Sequence, residues 1–299
     1  MREPVGAAMT RALRASGPGD QPADEAPAKF AGRRRLRRAG VAHVAMALAF
    51  LGAPAVAGAE TERVVDVPSR PGVVQRLLVL SPDSPKAAVV LFAGGHGGLQ
   101  IGPDGRLGWG GGNFLVRSRG LFASHGLLVA VIDAPSDKQQ PPFLAGSRQR
   151  PEHVADVRAV IAWLKAQAAV PVWLVGTSRG TQSAAFIGTA LAPSSGGPDG
   201  LVLTSTVLSD PRGRPVPAMP LKEVRVPVLL VHHRLDGCEG SRHADVSRVL
   251  DGLTAAPRKE LFTFEGGISR GDPCEAWGYH GYHGIEHEVL AAIAAWIAR

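Results

Sequence analysis

Ala87–Phe92, Leu127–Ile132 and Val172–Val175 are uninterrupted apolar runs of strand length, and the stretches between them carry helical periodicity. A strand with no polar alternate position has no solvent face. Such runs belong to a parallel sheet covered by helices on both sides. The same pattern predicts later strands at Gly200–Thr204, Val226–Val231 and Glu260–Phe264, and an opening pair at Val64–Val67 and Val73–Leu80 that turns at Pro71-Gly72. Helices are predicted over Asn113–Ser124 and Pro151–Ala169, and at the end of the chain, where Ile285, Val289, Ile293 and Ile297 share one face. In sheets of this kind, chemistry collects at the carboxyl ends of the strands.

One strand end is chemically distinctive. Val172–Val175 runs into Gly176-Thr177-Ser178-Arg179-Gly180, and Thr181–Leu191 is small, apolar and helix-compatible. A serine on a sharp strand-to-helix turn is held with its hydroxyl projecting, and the crowded turn leaves no room for side chains two residues to either side. Ser178 is the candidate nucleophile. A serine hydroxyl is a weak nucleophile at neutral pH, so a base must reach it from elsewhere in the fold. Arg179 either steers an anionic substrate or pairs with a neighbouring acid.

The formal net charge of +7 is unevenly placed. Residues 1–57 hold nine Lys and Arg against four Asp and Glu, so the remainder is close to neutral. That gives no electrostatic case for nucleic acid binding. Arg33–Arg38 followed by the apolar Ala39–Gly52 and the small residues Ala53–Ala59 read as a Sec-type signal peptide, cleaved after Ala57 or Ala59. The apolar stretch is too short and alanine-rich to span a bilayer comfortably, with an uncleaved anchor as the alternative. Residues 1–32 read as unstructured. The expected organisation is an N-terminal extension and signal over 1–57 and a single domain over 58–299, exported to the periplasm or beyond. The two cysteines, Cys238 and Cys274, would pair in an oxidising compartment, the alternative being two buried thiols. His243 alone does not supply a metal site, and no cofactor is called for.

From about Arg63 onward the chain resembles the α/β-hydrolases. The resemblance rests on Val-Val-Leu-Phe-Ala-Gly-Gly-His-Gly-Gly (89–98), the Gly176–Gly180 turn, Val-Leu-Leu-Val-His-His-Arg-Leu-Asp (228–236) and His-Gly-Tyr-His-Gly (280–284). It is nearest to small, capless esterases and dienelactone-hydrolase-like enzymes. It implies a mostly parallel sheet of about eight strands with helices on both faces. The Pro-rich Val207–Val226 connection is too short for a large cap domain.

The resemblance also implies a triad in the order serine, acid, histidine. Asp236, just past an apolar strand, fits the acid better than Asp251 or Asp272. His280 fits the base because Gly281 lets its loop turn toward Ser178; His283 is the alternative base, and His287 reads as a surface residue on the last helix. The oxyanion-hole donors would be the backbone N–H groups of Arg179 and Gly95, with His96 close behind. Ala93 stands where the family's His-Gly-Gly motif has its histidine. Cys238 lies two residues after Asp236 and Cys274 six before His280, so a disulfide would tie the two loops together. Trp109, in the Gly-rich 105–112 stretch, either flanks the pocket mouth or lies in a loop without a role. His232 reads as packed and His233 is undetermined. These residues predict hydrolysis of a small-molecule carboxylic ester. A peptidase, amidase or lactone hydrolase on the same triad, or a non-catalytic binding protein on the same fold, remains open.

Overall fold

The computed structural model describes residues 62–211 and 213–299, and the backbone of Thr10–Leu13. The strands are β1 (Thr10–Leu13), β2 (Glu62–Arg70), β3 (Val73–Leu80), β4 (Ala87–Phe92), β5 (Leu127–Ile132), β6 (Val172–Thr177), β7 (Gly200–Thr204), β8 (Val228–His233) and β9 (Lys259–Phe264). The helices are α1 (Phe114–Arg117), α2 (Arg119–Ser124), α3 (Pro151–Gln167), α4 (Gly180–Ala190), α5 (Ser247–Gly252) and α6 (Glu286–Ile297). The signal-peptide stretch lies outside the described residues.

The strands form one sheet in the order β1-β9-β8-β7-β6-β4-β5-β3-β2. Only β3 pairs antiparallel with its neighbours, β2 and β5; the other pairings are parallel. Strand alternation splits the core into two layers. In β4, Ala88, Val90 and Phe92 pack on one face with α3, α4 and α5, through Val157, Ile161, Ala184 and Val249. Ala87, Val89 and Leu91 pack on the other face with α1, α2 and α6, through Phe114, Phe122, Val289 and Trp296. Both faces are thus buried, which is why these strands need no polar alternate positions.

Among the boundaries that differ from the sequence pattern, three have a clear local cause or consequence. The helix expected over Asn113–Ser124 breaks at Ser118, where φ −96° and ψ 8° leave the helical basin. β8 starts at Val228 because Pro227 has no N–H for the ladder, and it runs on through His232 and His233. Thr10–Leu13, in the stretch read as unstructured, pairs in parallel with β9, whose outer edge offers free backbone groups to any extended segment. Between β7 and β8 the described residues make short 3₁₀ turns at Val216–Ala218 and Leu221–Glu223, and none of them forms a helical cap over the sheet.

β4 is followed by β5 on one side and β6 on the other, so the strand order reverses at β4. The crevice outside the carboxyl ends of β4 and β6 is therefore where a ligand site is expected.

Two histidines were built into this core without charge partners. His153 on α3 is 3% exposed and His232 on β8 is 0% exposed. Burial, aided by Arg148 and Arg70, holds the His153 pKa down to about 3. Burial, with His243 and His280, holds His232 down to about 3 as well. Unfolding returns each to about 6.5, so between about pH 6.5 and 3 the unfolded chain binds more protons and stability falls as pH falls. Urea midpoints measured from pH 7 to pH 4 should drop, and His153→Leu should flatten the drop. An unchanged slope in that variant would contradict this origin of the acid sensitivity.

Candidate active site

At the β6–α4 junction the backbone is forced into a tight reversal. A β-carbon on Gly180 would run into the Phe92 carbonyl of β4, and one on Gly176 would lie 2.5 Å from the Gly180 carbonyl oxygen. Only glycine permits this approach. Between them, Ser178 adopts φ 50°, a left-handed conformation that L-residues rarely hold. Its N–H donates to the Thr204 carbonyl at the end of β7 (3.1 Å), and its own carbonyl accepts from Thr181 Oγ1 (2.6 Å). The serine side chain is half-exposed into a cleft of about 270 Å³, whose walls include Gly94, Gly95, Trp109, Trp277 and His280.

Asp236 follows β8 and is 7% exposed; His280, in a 3₁₀ turn before α6, is 4% exposed. His280 Nδ1 and Asp236 Oδ2 are 2.8 Å apart. The other carboxylate oxygen accepts the Cys238 N–H at 3.0 Å. With Nδ1 engaged by the carboxylate, the proton sits there and Nε2 is left as the acceptor. That Nε2 is buried and has no hydrogen-bond partner among the described residues, while its side chain lines the same cleft as Ser178. The remaining acids expected from the sequence lie elsewhere: Asp251 is exposed on α5, and Asp272 accepts the Cys274 N–H. His283 lies 3.6 Å from Glu286 and edge-on to Trp277, away from Asp236, and His287 is exposed.

The backbone N–H groups of Gly95 and Arg179 donate to no group among the described residues. Gly95 lies on the loop after β4 and Arg179 at the amino end of α4, where the helix dipole favours negative charge. The Arg179 side chain turns away and pairs with buried Asp210 at 2.8 Å. Trp109 lines the cleft with its ring tilted against His96, which stacks in turn on Phe143. His232 is packed, its Nε2 accepting the Thr206 N–H. His233 stacks on Tyr279 and contacts the Gly266 carbonyl at 2.9 Å.

Sequence reasoning missed the scaffold that holds the histidine. Ser205, after β7, donates its hydroxyl to the His280 carbonyl at 2.8 Å and its N–H to the Tyr282 hydroxyl at 3.1 Å. Tyr282, fully buried, donates to the Val231 carbonyl of β8 at 2.6 Å. Arg117 on α1 bridges the Gly112 carbonyl, the Gly281 carbonyl and Glu286. No local pattern announces these contacts, because all but the Arg117–Gly112 bond join segments far apart in the chain.

Cys238 and Cys274 form a disulfide across a separation of 36 residues. It joins the Asp236 loop to the segment leading to His280, and Cys274 itself lines the cleft. In the chain-entropy account such a closure contributes about 4 kcal/mol. Cys238→Ser should lower the melting temperature and also reduce turnover, since both loops lose a tether. Full activity with an unchanged melting temperature would show that the bond does neither.

No protein-family model matches the chain, and no curated protein does either. Solved structures do. A dienelactone hydrolase from Anabaena variabilis is 16% identical over 80% of this chain and 95% of its own, with a TM-score of 0.52. An esterase from Pyrococcus furiosus is 12% identical over 80% and 91%, with a TM-score of 0.57. An alpha-beta serine hydrolase homologue from Coxiella burnetii is 14% identical over 80% and 96%, with a TM-score of 0.52. Together with the mostly parallel sheet and the turn at Ser178, these likenesses show that the chain has the α/β-hydrolase fold.

Proposed function

We propose that this chain is an exported serine hydrolase that cleaves carboxylic esters through Ser178, His280 and Asp236, with residues 58–299 as its catalytic domain. The observation that carries the reading is the buried Asp236–His280 pair, which leaves an unpartnered Nε2 in the cleft that also holds Ser178. His280 Nε2 takes the proton from Ser178 Oγ as that oxygen bonds to the ester carbonyl carbon. Asp236 fixes the tautomer and stabilises the imidazolium that forms. Charge arriving on the carbonyl oxygen meets the N–H groups of Gly95 and Arg179. The proton then passes to the leaving alkoxide and the alcohol departs. Water, giving its proton to His280 Nε2, bonds to the acyl carbon, the Ser178 Oγ–acyl bond breaks with that proton returning to Oγ, and the carboxylic acid leaves.

The small cleft, with no helical cap among the described residues between β7 and β8, fits a small-molecule ester. A lactone is a cyclic ester and belongs in the same assay. Two observations support export: the signal-like segment at about 33–57 and the disulfide, which suits an oxidising compartment. No helix among the described residues is long and apolar enough to cross a membrane.

The test is hydrolysis of a panel of p-nitrophenyl esters and lactones by wild type and single variants. Ser178→Ala or His280→Ala should lower kcat by up to about 10⁶-fold, and Asp236→Asn by about 10⁴-fold. His283→Ala should stay within a few-fold of wild type. Loss of activity in His283→Ala with retention in His280→Ala would reverse the assignment of the base. Turnover that survives Ser178→Ala would remove the nucleophile.

A further inference from the structure

Arg148 is a charged residue that the proposed chemistry leaves unused. It lies in the connection from β5 to α3, it is 4% exposed, and it forms no ion pair among the described residues. Burial and the nearby Arg179 push its pKa down to about 9, which still leaves it cationic at neutral pH. A buried cation without a counter-charge is costly unless its hydrogen bonds compensate. Here Nη2 goes to one short stretch of backbone and Nη1 to a side chain, while Nε has no partner among the described residues. Nη2 faces the carbonyls of Ala93 (3.0 Å), Gly95 (3.2 Å) and Gly94 (3.5 Å), while Nη1 donates to Ser183 Oγ on α4 (3.0 Å).

Peptide geometry turns this into a consequence for the cleft. In a trans peptide, the carbonyl of one residue and the N–H of the next point in opposite directions. Drawing the carbonyls of Ala93, Gly94 and Gly95 to one guanidinium directs the N–H groups of Gly94, Gly95 and His96 the other way. Gly94 and Gly95 line the cleft on that side, and a β-carbon on Gly94 would lie 3.0 Å from Ser178 Cβ. The cation also polarises those peptides and strengthens their N–H groups as donors. A second buried charge from the same β5–α3 connection completes the hold. Asp133, 1% exposed, accepts the N–H groups of Leu99 (2.6 Å), Gln100 (3.1 Å) and Ile101 (2.9 Å). One end of the loop is gripped by its carbonyls and the other by its N–H groups.

We propose that Arg148 is the positioning residue of the oxyanion hole, setting the 93–96 backbone so that its N–H groups face the carbonyl oxygen of the substrate. This rests on the serine-hydrolase reading above. It does not make Arg148 a catalytic residue, since its guanidinium faces away from the substrate.

Wild type, Arg148→Gln, Arg148→Lys and Ser183→Ala are compared on a p-nitrophenyl ester and the matching thionoester, with backbone ¹⁵N order parameters measured across residues 93–98. Sulfur is a larger and poorer acceptor than oxygen, so a well-set hole favours the oxygen ester. Arg148→Gln should lose about 10–10³-fold in kcat, the range for a lost hole donor, with little change in KM. Its preference for the oxygen ester should shrink and the order parameters at Gly94–His96 should fall. Arg148→Lys keeps the charge without the fork and should fall between. Ser183→Ala removes one anchor and should show the same pattern more weakly.

Should Arg148→Gln fail to fold, the other two variants decide by the same oxygen-to-sulfur ratio. Unchanged kcat, or a kcat loss that preserves the ratio, overturns the proposal. A wild type that hydrolyses neither ester refutes the serine-hydrolase reading instead. Order parameters then decide alone: wild-type values at Gly94–His96 in Arg148→Lys overturn the clamp.

Discussion

The site depends on one close approach, the Gly180 backbone against the Phe92 carbonyl. It locks the end of β4, the turn after β6 and the first residue of α4 into one contact that no side chain could enter. The strain at Ser178, with φ 50°, is held by that contact and by the Thr204 carbonyl of β7. Because β4 and β6 straddle the reversal in strand order, the same contact sets the loop after β4 beside Ser178. A nucleophile candidate and its candidate oxyanion donors thus share one packing constraint. A single added methyl group at Gly180 would disturb both.

The acid and the histidine are fixed by different means. Their 2.8 Å contact is buried, and each partner is tethered by backbone-directed bonds, Asp236 to the Cys238 N–H and His280 through Ser205. The disulfide adds a covalent tie between their loops. Buried charges recur around the cleft, and each is matched to groups that suit its sign. Asp133 takes N–H groups, Arg148 takes carbonyls, and Asp210 takes Arg179. The low-dielectric surroundings strengthen each of these contacts and make misplacement costly.

Much of this was legible in the chain. The apolar runs gave the parallel sheet because a strand buried on both faces leaves an unmistakable pattern. The glycines at 176 and 180 gave the turn because its sterics tolerate nothing else. Asp236 and His280 follow from the resemblance and their loops, and the structure places them 2.8 Å apart and pairs the two cysteines. His280 is preferred to His283 because Gly281 lets its loop turn, and His280 is the histidine that lies 2.8 Å from Asp236. What stayed hidden was the support: Ser205, Tyr282, Arg117 and Arg148 act through contacts between distant segments. Arg148 carried no sequence signal, since a lone arginine in a loop reads as solvated. The break at Ser118 was hidden too, because the periodicity of the two short helices runs straight through it.

The central claim is that Ser178 is the activated nucleophile of this cleft. The most direct measurement is fluorophosphonate labelling of the native protein followed by peptide mapping of the adduct. The account predicts a single modified residue, Ser178, with labelling abolished when His280 is replaced. An adduct on any other residue, or labelling of Ser178 that is indifferent to His280, would contradict it.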